Sequence, residues 1–200
     1  HLLLKFPKEL FLASKSPRRA ELLKLVGLPF KIINSSFQEN IIYEKKPEVY
    51  VQKLSLLKAK SSADTIENGI ILSADTIVFI DNSILGKPKD FEDAKYMLNK
   101  LSGKWHEVYT GFTLLDVPSF LSETRYSLTK VKFKKLSENE ILSYIETKSP
   151  FDKAGAYGIQ DSFCAFFVEE ISGCFYNVIG LPLNNFYVTA LDFIEKLKIR

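Results

Sequence analysis

The chain has 200 residues, including 16 phenylalanines and 9 tyrosines, and its formal net charge is +3. A chain this long and this rich in apolar residues can bury a full core, which excludes a disordered protein. The mild charge argues against a dedicated nucleic-acid-binding protein, and only two cysteines argue against a disulfide scaffold. We expect both thiols to be reduced, because a chain of this size needs no disulfide. We also expect no membrane partner and a cytoplasmic location, since no apolar run reaches the length of a membrane span.

An anion-binding turn is predicted near the N-terminus, in the segment LASKSPRRAELL (12–23). An apolar run enters this segment as a strand, and Pro17 stands where a helix begins. The N-terminus of a helix attracts anions through its unpaired N–H groups and its dipole. Ser14 adds a hydroxyl, and the guanidinium groups of Arg18 and Arg19 match phosphate oxygens. The segment therefore predicts a phosphate-binding turn.

The elements predicted after this turn alternate between strands and helices. They are a short strand at 30–35, a helix from Pro47, a strand at 70–80 that returns at 84–85, a helix at 90–101, strands at 105–115 and 125–133, a helix from 137 to 146, a glycine-bearing loop at 149–161, a strand at 163–170 and a helix at 183–197. Because several adjacent strands have no helix between them, the pattern predicts an α/β fold with a mixed sheet.

Three polar residues stand out in apolar surroundings. Asp75 interrupts the most hydrophobic strand, which costs free energy unless the carboxylate is paired, hydrogen-bonded or bound to a metal. It is equally consistent with a ligand-binding residue, beside Thr76, and with an aspartate at a bulge or at a strand end, where it caps a loop. Lys58 lies on the apolar side of its helix, and extends to solvent or reaches a phosphate. Lys87, between Gly86 and Pro88, is more typical of a solvated turn than of a ligand site.

The other candidates give weaker signals. Glu39 lies in a polar loop and is unremarkable alone. Lys153 and Gln160 share the loop in which Gly155 and Gly158 permit close approach of a ligand. His106 lies inside a strand pattern, which favours a hydrogen-bonded structural histidine over a catalytic base.

Several site classes are excluded by the motifs that the sequence lacks. It contains no CxxC or HExxH metal motif, no GxSxG hydrolase elbow and no P-loop. The remaining carboxylate, lysine and arginine side chains suit Mg²⁺-assisted reactions on phosphates, because hard oxygens bind the ion and cations bind the phosphates.

In their order along the chain, these segments resemble the Maf family of nucleoside triphosphate pyrophosphatases. The resemblance rests on the loop around Glu39 and on LASKSPRRAELLKLVGLPF (12–30), LSLLKAK (54–60), SADTIVF (73–79), LGKPKD (85–90), LSGKWHEVYTGF (101–112), DKAGAYGIQ (152–160) and YNVIGLPL (176–183). It implies a single Maf-like domain over residues 1–200. It also implies a Maf/ITPase-like mixed, twisted sheet with flanking helices, and two lobes around a deep cleft.

The resemblance also implies hydrolysis of a nucleoside triphosphate to the monophosphate and pyrophosphate, with a divalent cation, Mg²⁺ or Mn²⁺. Asp75 matches the proton acceptor, and Glu39 matches a carboxylate near the metal and the water, so both are expected to hold the metal. The phosphate-binding positions match Ser14, Arg19, Lys58 and Lys87. The positions linked to base selection match Arg18, Thr76 and Gln160, and Lys153 is expected to bind substrate in the same loop.

The loop tail from Tyr157 to Gln160 resembles the subfamily that acts on dTTP and UTP. Three departures from the family pattern stand beside it. Gln38 replaces a usual aspartate, Asp161 replaces a usual glycine, and residues 117–124 follow no family pattern. The first two affect the expected metal stoichiometry and the hold on the base more than the reaction class.

Two other functions remain as alternatives to the enzyme. One is a non-catalytic nucleotide-binding regulator of cell division, of the septum-formation-inhibitor type. The presence of Asp75, Glu39, Lys58 and Lys87 together favours the enzyme over this regulator. The other is an RNA-binding module, which the mild charge disfavours, so no nucleic-acid partner is expected. A homodimer is compatible with the resemblance, although no segment marks an interface.

Overall fold

A mixed β-sheet organises the chain. The computed structural model describes residues 3–35, 37 and 46–199, and the strands in this part are β1 (Leu10–Leu12), β2 (Lys31–Ile32), β3 (Gly69–Ile80), β4 (Ser83–Leu85), β5 (Trp105–Val117), β6 (Ser122–Phe133) and β7 (Val168–Ser172). They form one seven-stranded sheet in the order β2–β1–β3–β5–β6–β7, with β4 paired to β3. β1 pairs in parallel with β2 and β3, whereas β4 and β7 pair antiparallel with β3 and β6. The predicted mixed sheet in an α/β fold is therefore confirmed.

The helices lie between and after these strands along the chain. In the described part they are α1 (Pro17–Leu25), α2 (Pro47–Ser62), α3 (Phe91–Leu101), α4 (Glu138–Glu146), α5 (Cys164–Phe167), α6 (Phe175–Ile179) and α7 (Leu183–Lys198). Sequence caps set several boundaries: the Asp90 side chain accepts a hydrogen bond from the Asp93 amide, and Ser137 with Glu140 forms a capping box. None of the helices in residues 3–35, 37 and 46–199 is both long and apolar enough to cross a membrane.

One predicted strand, at 163–170, is wrong over its first half. Residues 164–167 form helix α5, and only Val168 begins strand β7. The segment is a short apolar run, for which strand and helix are hard to distinguish by pattern. The helical turn puts Cys164 and Phe167, three residues apart, into the same core, and both are at most 1% exposed. Helix α6 was not among the predicted elements.

The chain divides into two compact units by its contacts. The first comprises residues 1–75, 110–127 and 180–200, and the second comprises residues 76–109 and 128–179. Each unit has a buried apolar cluster: Phe11, Ile71 and Leu115 belong to the first, and Phe133 and Tyr144 belong to the second. The single domain and the deep cleft that the resemblance implies stay predictions.

Strand β7 is a terminal strand of the sheet among the strands described. Its burial pattern leaves Glu169 and Glu170 exposed, while Val168 and Ile171 are half-buried. Glu169 also forms an exposed ion pair with Lys132 of β6, with 3.2 Å between Nζ and Oε2. This edge of the sheet therefore carries acidic side chains.

Candidate functional site

The N-terminal turn is held by its own serine and arginine. The Ser14 hydroxyl accepts hydrogen bonds from the Ser16 amide at 3.2 Å and from the Arg19 guanidinium at 2.9 Å. Arg19 also donates from Nε to the carbonyl of Gly180 at 2.7 Å, which fixes the direction of its side chain. Two predicted phosphate-binding residues, Ser14 and Arg19, are thus brought together at the start of α1.

The start of α1 has the features that favour an anion. Pro17 occupies the first turn, which contains no acidic residue. Ser16 is the N-cap residue, and its side chain makes no capping hydrogen bond in the described part of the chain. Arg18 and Arg19 are both half-buried there. The predicted anion-binding turn therefore has an uncapped helix end beside two guanidinium groups.

Asp75 lies on β3 next to this turn. Leu12, the last residue of β1, pairs in parallel with Leu72 of β3, so the turn after β1 continues beside the stretch of β3 that carries Asp75. The carboxyl ends of parallel strands are the usual place for ligands in α/β folds. Ser14 thus follows the carboxyl end of β1 and lies beside the middle of β3, where Asp75 stands, so Asp75 does not end its strand.

The carboxylate of Asp75 is paired with the ammonium of Lys58. The Nζ atom of Lys58 lies 2.5 Å from Oδ1 of Asp75, and their side chains are 16% and 12% exposed. Lys58 is therefore largely buried and contacts a carboxylate, and its predicted role at a phosphate stays a prediction. The pair explains how an aspartate is tolerated in the most apolar strand, because a partner offsets its desolvation.

Helix α2 presents Lys58 because it packs directly on the sheet. A Cβ atom on Gly111 of β5 would lie 2.4 Å from the backbone of Val51, so only glycine allows this approach. The Ser73 hydroxyl donates to the carbonyl of Ser55 at 2.6 Å, and the Ser55 hydroxyl lies 2.9 Å from that of Thr113. These buried contacts fix α2 one turn before Lys58. The sequence analysis did not single out these residues, although small polar residues in apolar strands were a visible signal.

Three predicted residues belong to the second unit and differ in exposure. Lys87 and Gln160 are exposed, and Thr76 is half-buried. The turn of Lys87 is joined to the glycine-bearing loop, because the Gly155 amide donates to the Gly86 carbonyl at 3.0 Å. Their predicted roles at the phosphates and at the base stay predictions.

Lys153, predicted to bind substrate, is buried and bound by its own loop. Its ammonium donates to the Ser149 carbonyl at 2.6 Å, to the Ser149 hydroxyl at 3.0 Å and to the Asp152 carboxylate at 2.7 Å. Only 8% of the residue is exposed. An ammonium has three donor hydrogens, so these contacts occupy its hydrogen-bonding capacity.

His106 is buried and hydrogen-bonded, as predicted. Its Nε2 atom lies 2.7 Å from the hydroxyl of Tyr157, and the residue is 2% exposed. Burial lowers the pKa of His106 to about 3. At neutral pH the imidazole is therefore uncharged, and it anchors the loop that contains Tyr157.

We expect His106 to make the stability depend on pH. Its pKa is lower in the folded state than the ordinary 6.5, so its contribution is complete above pH 6.5 and is lost as pH falls towards 3. Between pH 7.5 and 5.5 this group alone lowers the free energy of unfolding by about 1.4 kcal/mol. Urea unfolding at both pH values measures the loss, and His106→Gln should reduce it by that amount. An equal loss of unfolding free energy in the wild-type and His106→Gln proteins would contradict the expectation. So would NMR signals of the His106 ring that shift with protonation between pH 5 and 8.

The predicted metal ligands are described only in part. Glu39 and Gln38 lie outside the described residues. Asp75 offers a hard carboxylate oxygen, which fits a divalent cation such as Mg²⁺. Within residues 3–35, 37 and 46–199, no group of three or more His, Cys, Asp or Glu side chains is arranged to hold a metal. Asp75 is thus the described residue with suitable donor chemistry at the predicted place.

Comparison with known proteins identifies relatives that span nearly the whole chain. The "dTTP/UTP pyrophosphatase" of Carboxydothermus hydrogenoformans is 47% identical over 179 residues, which cover 90% of this chain and 95% of that protein. The protein of the same name from Thermosipho melanesiensis is 49% identical over 184 residues, which cover 92% and 97%. The Staphylococcus aureus Ham1 protein aligns in structure with a TM-score of 0.44 and 14% identity, over 63% of this chain and 72% of that one. This last similarity is too low to carry an argument.

The family comparison agrees with these relatives. The model of the Maf-like protein family matches residues 9–192, which include every described candidate residue from Ser14 to Gln160. The match confirms the resemblance drawn from the sequence motifs. The chain belongs to the Maf family.

Proposed function

We propose that this protein hydrolyses dTTP and UTP to the nucleoside monophosphate and pyrophosphate. The observation that carries the proposal is the Lys58–Asp75 pair beside the turn of Ser14 and Arg19. It occurs in a chain that aligns, over 90% and 92% of its length, with two proteins named dTTP/UTP pyrophosphatase. The arrangement supplies a carboxylate that can accept a proton and cationic side chains that can bind phosphates. This hydrolysis requires both kinds of group.

In the proposed reaction, Asp75 is the general base. A water molecule attacks the α-phosphorus, a new P–O bond forms, and the bond between this phosphorus and the bridging oxygen to the β-phosphate breaks. The proton of the water goes to the Asp75 carboxylate. Lys58 donates to Oδ1, and this contact holds the carboxylate in one orientation.

The basic residues of the first unit compensate the charge of the leaving pyrophosphate. Arg19 is oriented by Ser14 and by the Gly180 carbonyl, so its guanidinium reaches a phosphate with little loss of side-chain freedom. The uncapped start of α1 adds N–H donors for phosphate oxygens. By the resemblance, Lys87 is a further phosphate-binding cation.

We propose that Asp75 and Glu39 together hold a divalent cation, Mg²⁺ or Mn²⁺. Such an ion would neutralise part of the triphosphate charge and lower the pKa of a bound water. The support in the described residues is the hard oxygen of Asp75. A cytoplasmic location and a homodimer stay proposals that accompany the family assignment.

A pyrophosphate-release assay over a nucleotide panel tests the function. We expect pyrophosphate and the monophosphate in equal amounts from dTTP and UTP, slower turnover of CTP and GTP, and loss of activity when EDTA removes the cation. Release of inorganic phosphate alone would contradict cleavage at the α-phosphorus. Tight binding of UTP without any turnover would favour the non-catalytic regulator instead.

A further inference from the structure

A network of four side chains closes the loop between helix α4 and Gln160. We define this loop clasp as Tyr144, Ser149, Lys153 and Asp161. The Asp161 Oδ2 atom accepts hydrogen bonds from the Tyr144 hydroxyl at 2.6 Å and from the Ser149 hydroxyl at 2.8 Å. Lys153 Nζ lies 3.6 Å from the same oxygen and is hydrogen-bonded to Ser149. The clasp therefore joins both ends of the segment 149–161.

The backbone of the loop packs closely onto the clasp. The Gly158 amide donates to the Tyr144 hydroxyl at 3.2 Å. A Cβ atom on Gly158 would lie 2.5 Å from Cε of Lys153, so the lysine stem passes directly over this glycine. The Asp161 amide donates to the Gly158 carbonyl at 2.9 Å, which closes a tight turn around Gln160. These contacts of the clasp thus fix the path of the chain on both sides of Gln160.

Two members of the clasp, Tyr144 and Lys153, are buried, and the other two are half-buried. Lys153 is 8% exposed, and burial raises the pKa of Tyr144 well above its ordinary value, so its hydroxyl remains a proton donor to Asp161. Gln160, by contrast, is exposed. Its neighbour in sequence is therefore anchored while its own side chain faces outward.

We propose that Lys153 and Asp161 are positioning residues, which select the base by holding Gln160 in place and do not themselves bind the nucleotide. The inference rests on the proposed function, in which Gln160 belongs to the base-selecting positions. It departs from the expected substrate contact of Lys153, because the loop itself occupies the ammonium. It also gives a role to Asp161, the residue that stands where the family pattern has a glycine. A glycine has no side chain to accept these hydrogen bonds, so the clasp is specific to chains with an acceptor at this position.

Preorganisation of a binding loop acts mainly on affinity for the correct ligand. Loss of the clasp is therefore expected to weaken the binding of a uracil nucleotide more than the binding of a cytosine nucleotide. Loss of a direct phosphate contact would weaken the binding of both nucleotides equally, since both carry the same triphosphate. This difference separates a positioning lysine from a substrate-binding lysine.

The test compares Lys153→Met, Asp161→Ala, which removes the acceptor, and the double variant with the wild-type protein. Calorimetry measures the affinity for α,β-methylene UTP, for α,β-methylene CTP and for inorganic pyrophosphate. We expect each single variant to lose the preference for uracil by about tenfold, the double variant to lose no more than either single one, and pyrophosphate affinity to stay unchanged. Lys104→Met, which removes an exposed ion pair with Asp81, is the matched control and should keep the preference.

Several results would overturn the proposal. One is an equal loss of affinity for both analogues, and another is an additive loss of uracil preference in the double variant. A lower pyrophosphate affinity of Lys153→Met, or a wild-type protein without uracil preference, would do the same. Because the analogues resist cleavage, a protein that binds them selectively but releases no pyrophosphate from UTP would refute the proposed hydrolysis alone. Amide hydrogen exchange of residues 153–161 gives a reading without ligand. It should accelerate in both single variants, and unchanged exchange would contradict the clasp.

Discussion

Replacing Asp75 by asparagine is expected to lower kcat for pyrophosphate release from UTP by roughly 100- to 10,000-fold, the usual contribution of a general base. An amide has nearly the shape of the carboxylate but does not accept the proton of the attacking water at neutral pH. It also removes a negative charge from the place where a cation is proposed to bind. The pyrophosphate-release assay with saturating UTP measures the effect directly.

The control for this variant is Asp64→Asn, which changes an exposed aspartate of the same unit. It should keep the kcat of the wild-type protein. Far-ultraviolet circular dichroism should be the same for all three proteins, because asparagine can still accept a hydrogen bond from Lys58. Near-normal turnover by Asp75→Asn in a folded protein would show that another group takes the proton.

Lys58→Met is expected to lower both stability and activity. It leaves the Asp75 carboxylate, whose side chain is 12% exposed, without its partner at 2.5 Å. Breaking a largely buried pair from one side costs roughly 2–4 kcal/mol of unfolding free energy. Loss of a positive charge near the phosphates should reduce kcat/KM for UTP about 100-fold. Urea unfolding and the pyrophosphate assay measure the two effects.

A double variant separates the two roles of Lys58. Lys58→Met combined with Asp75→Asn removes the unpaired charge, so it should regain part of the lost stability but none of the activity. Lys60→Met, an exposed lysine on the same helix, is the matched control and should resemble the wild-type protein. A Lys58→Met protein as stable as wild type would mean that the pair does not offset the burial of Asp75.

The elements of the fold were largely predictable, because each has a local signal. Asp90, Ser137 and Pro47 mark helix starts, and Asp81 with Asn82 adopts the positive φ angles of a tight hairpin turn. The failure at 163–167 has the same origin. A short apolar run fits a strand or a helical turn equally well, and the packing of Cys164 and Phe167 into one core decides between them.

The contacts within the candidate site were less predictable. Lys58 and Asp75 were both singled out, but their pairing depends on how α2 packs on the sheet at Gly111, which no local pattern reveals. The two arginines of the N-terminal turn look alike in sequence, and the family resemblance alone assigned them different roles. The clasp was not foreseen, because its partners lie 4 to 17 residues apart and meet only through the path of the loop.

The acidic edge strand β7 bears on how copies of this chain meet each other. A terminal strand exposes unpaired backbone N–H and C=O groups, which invite another strand to extend the sheet. Glu169 and Glu170 put two negative charges on this five-residue strand, and a second β7 would bring its own glutamates against them. Like charges on facing strands repel, so the side chains of β7 oppose intermolecular strand addition and aggregation at this edge.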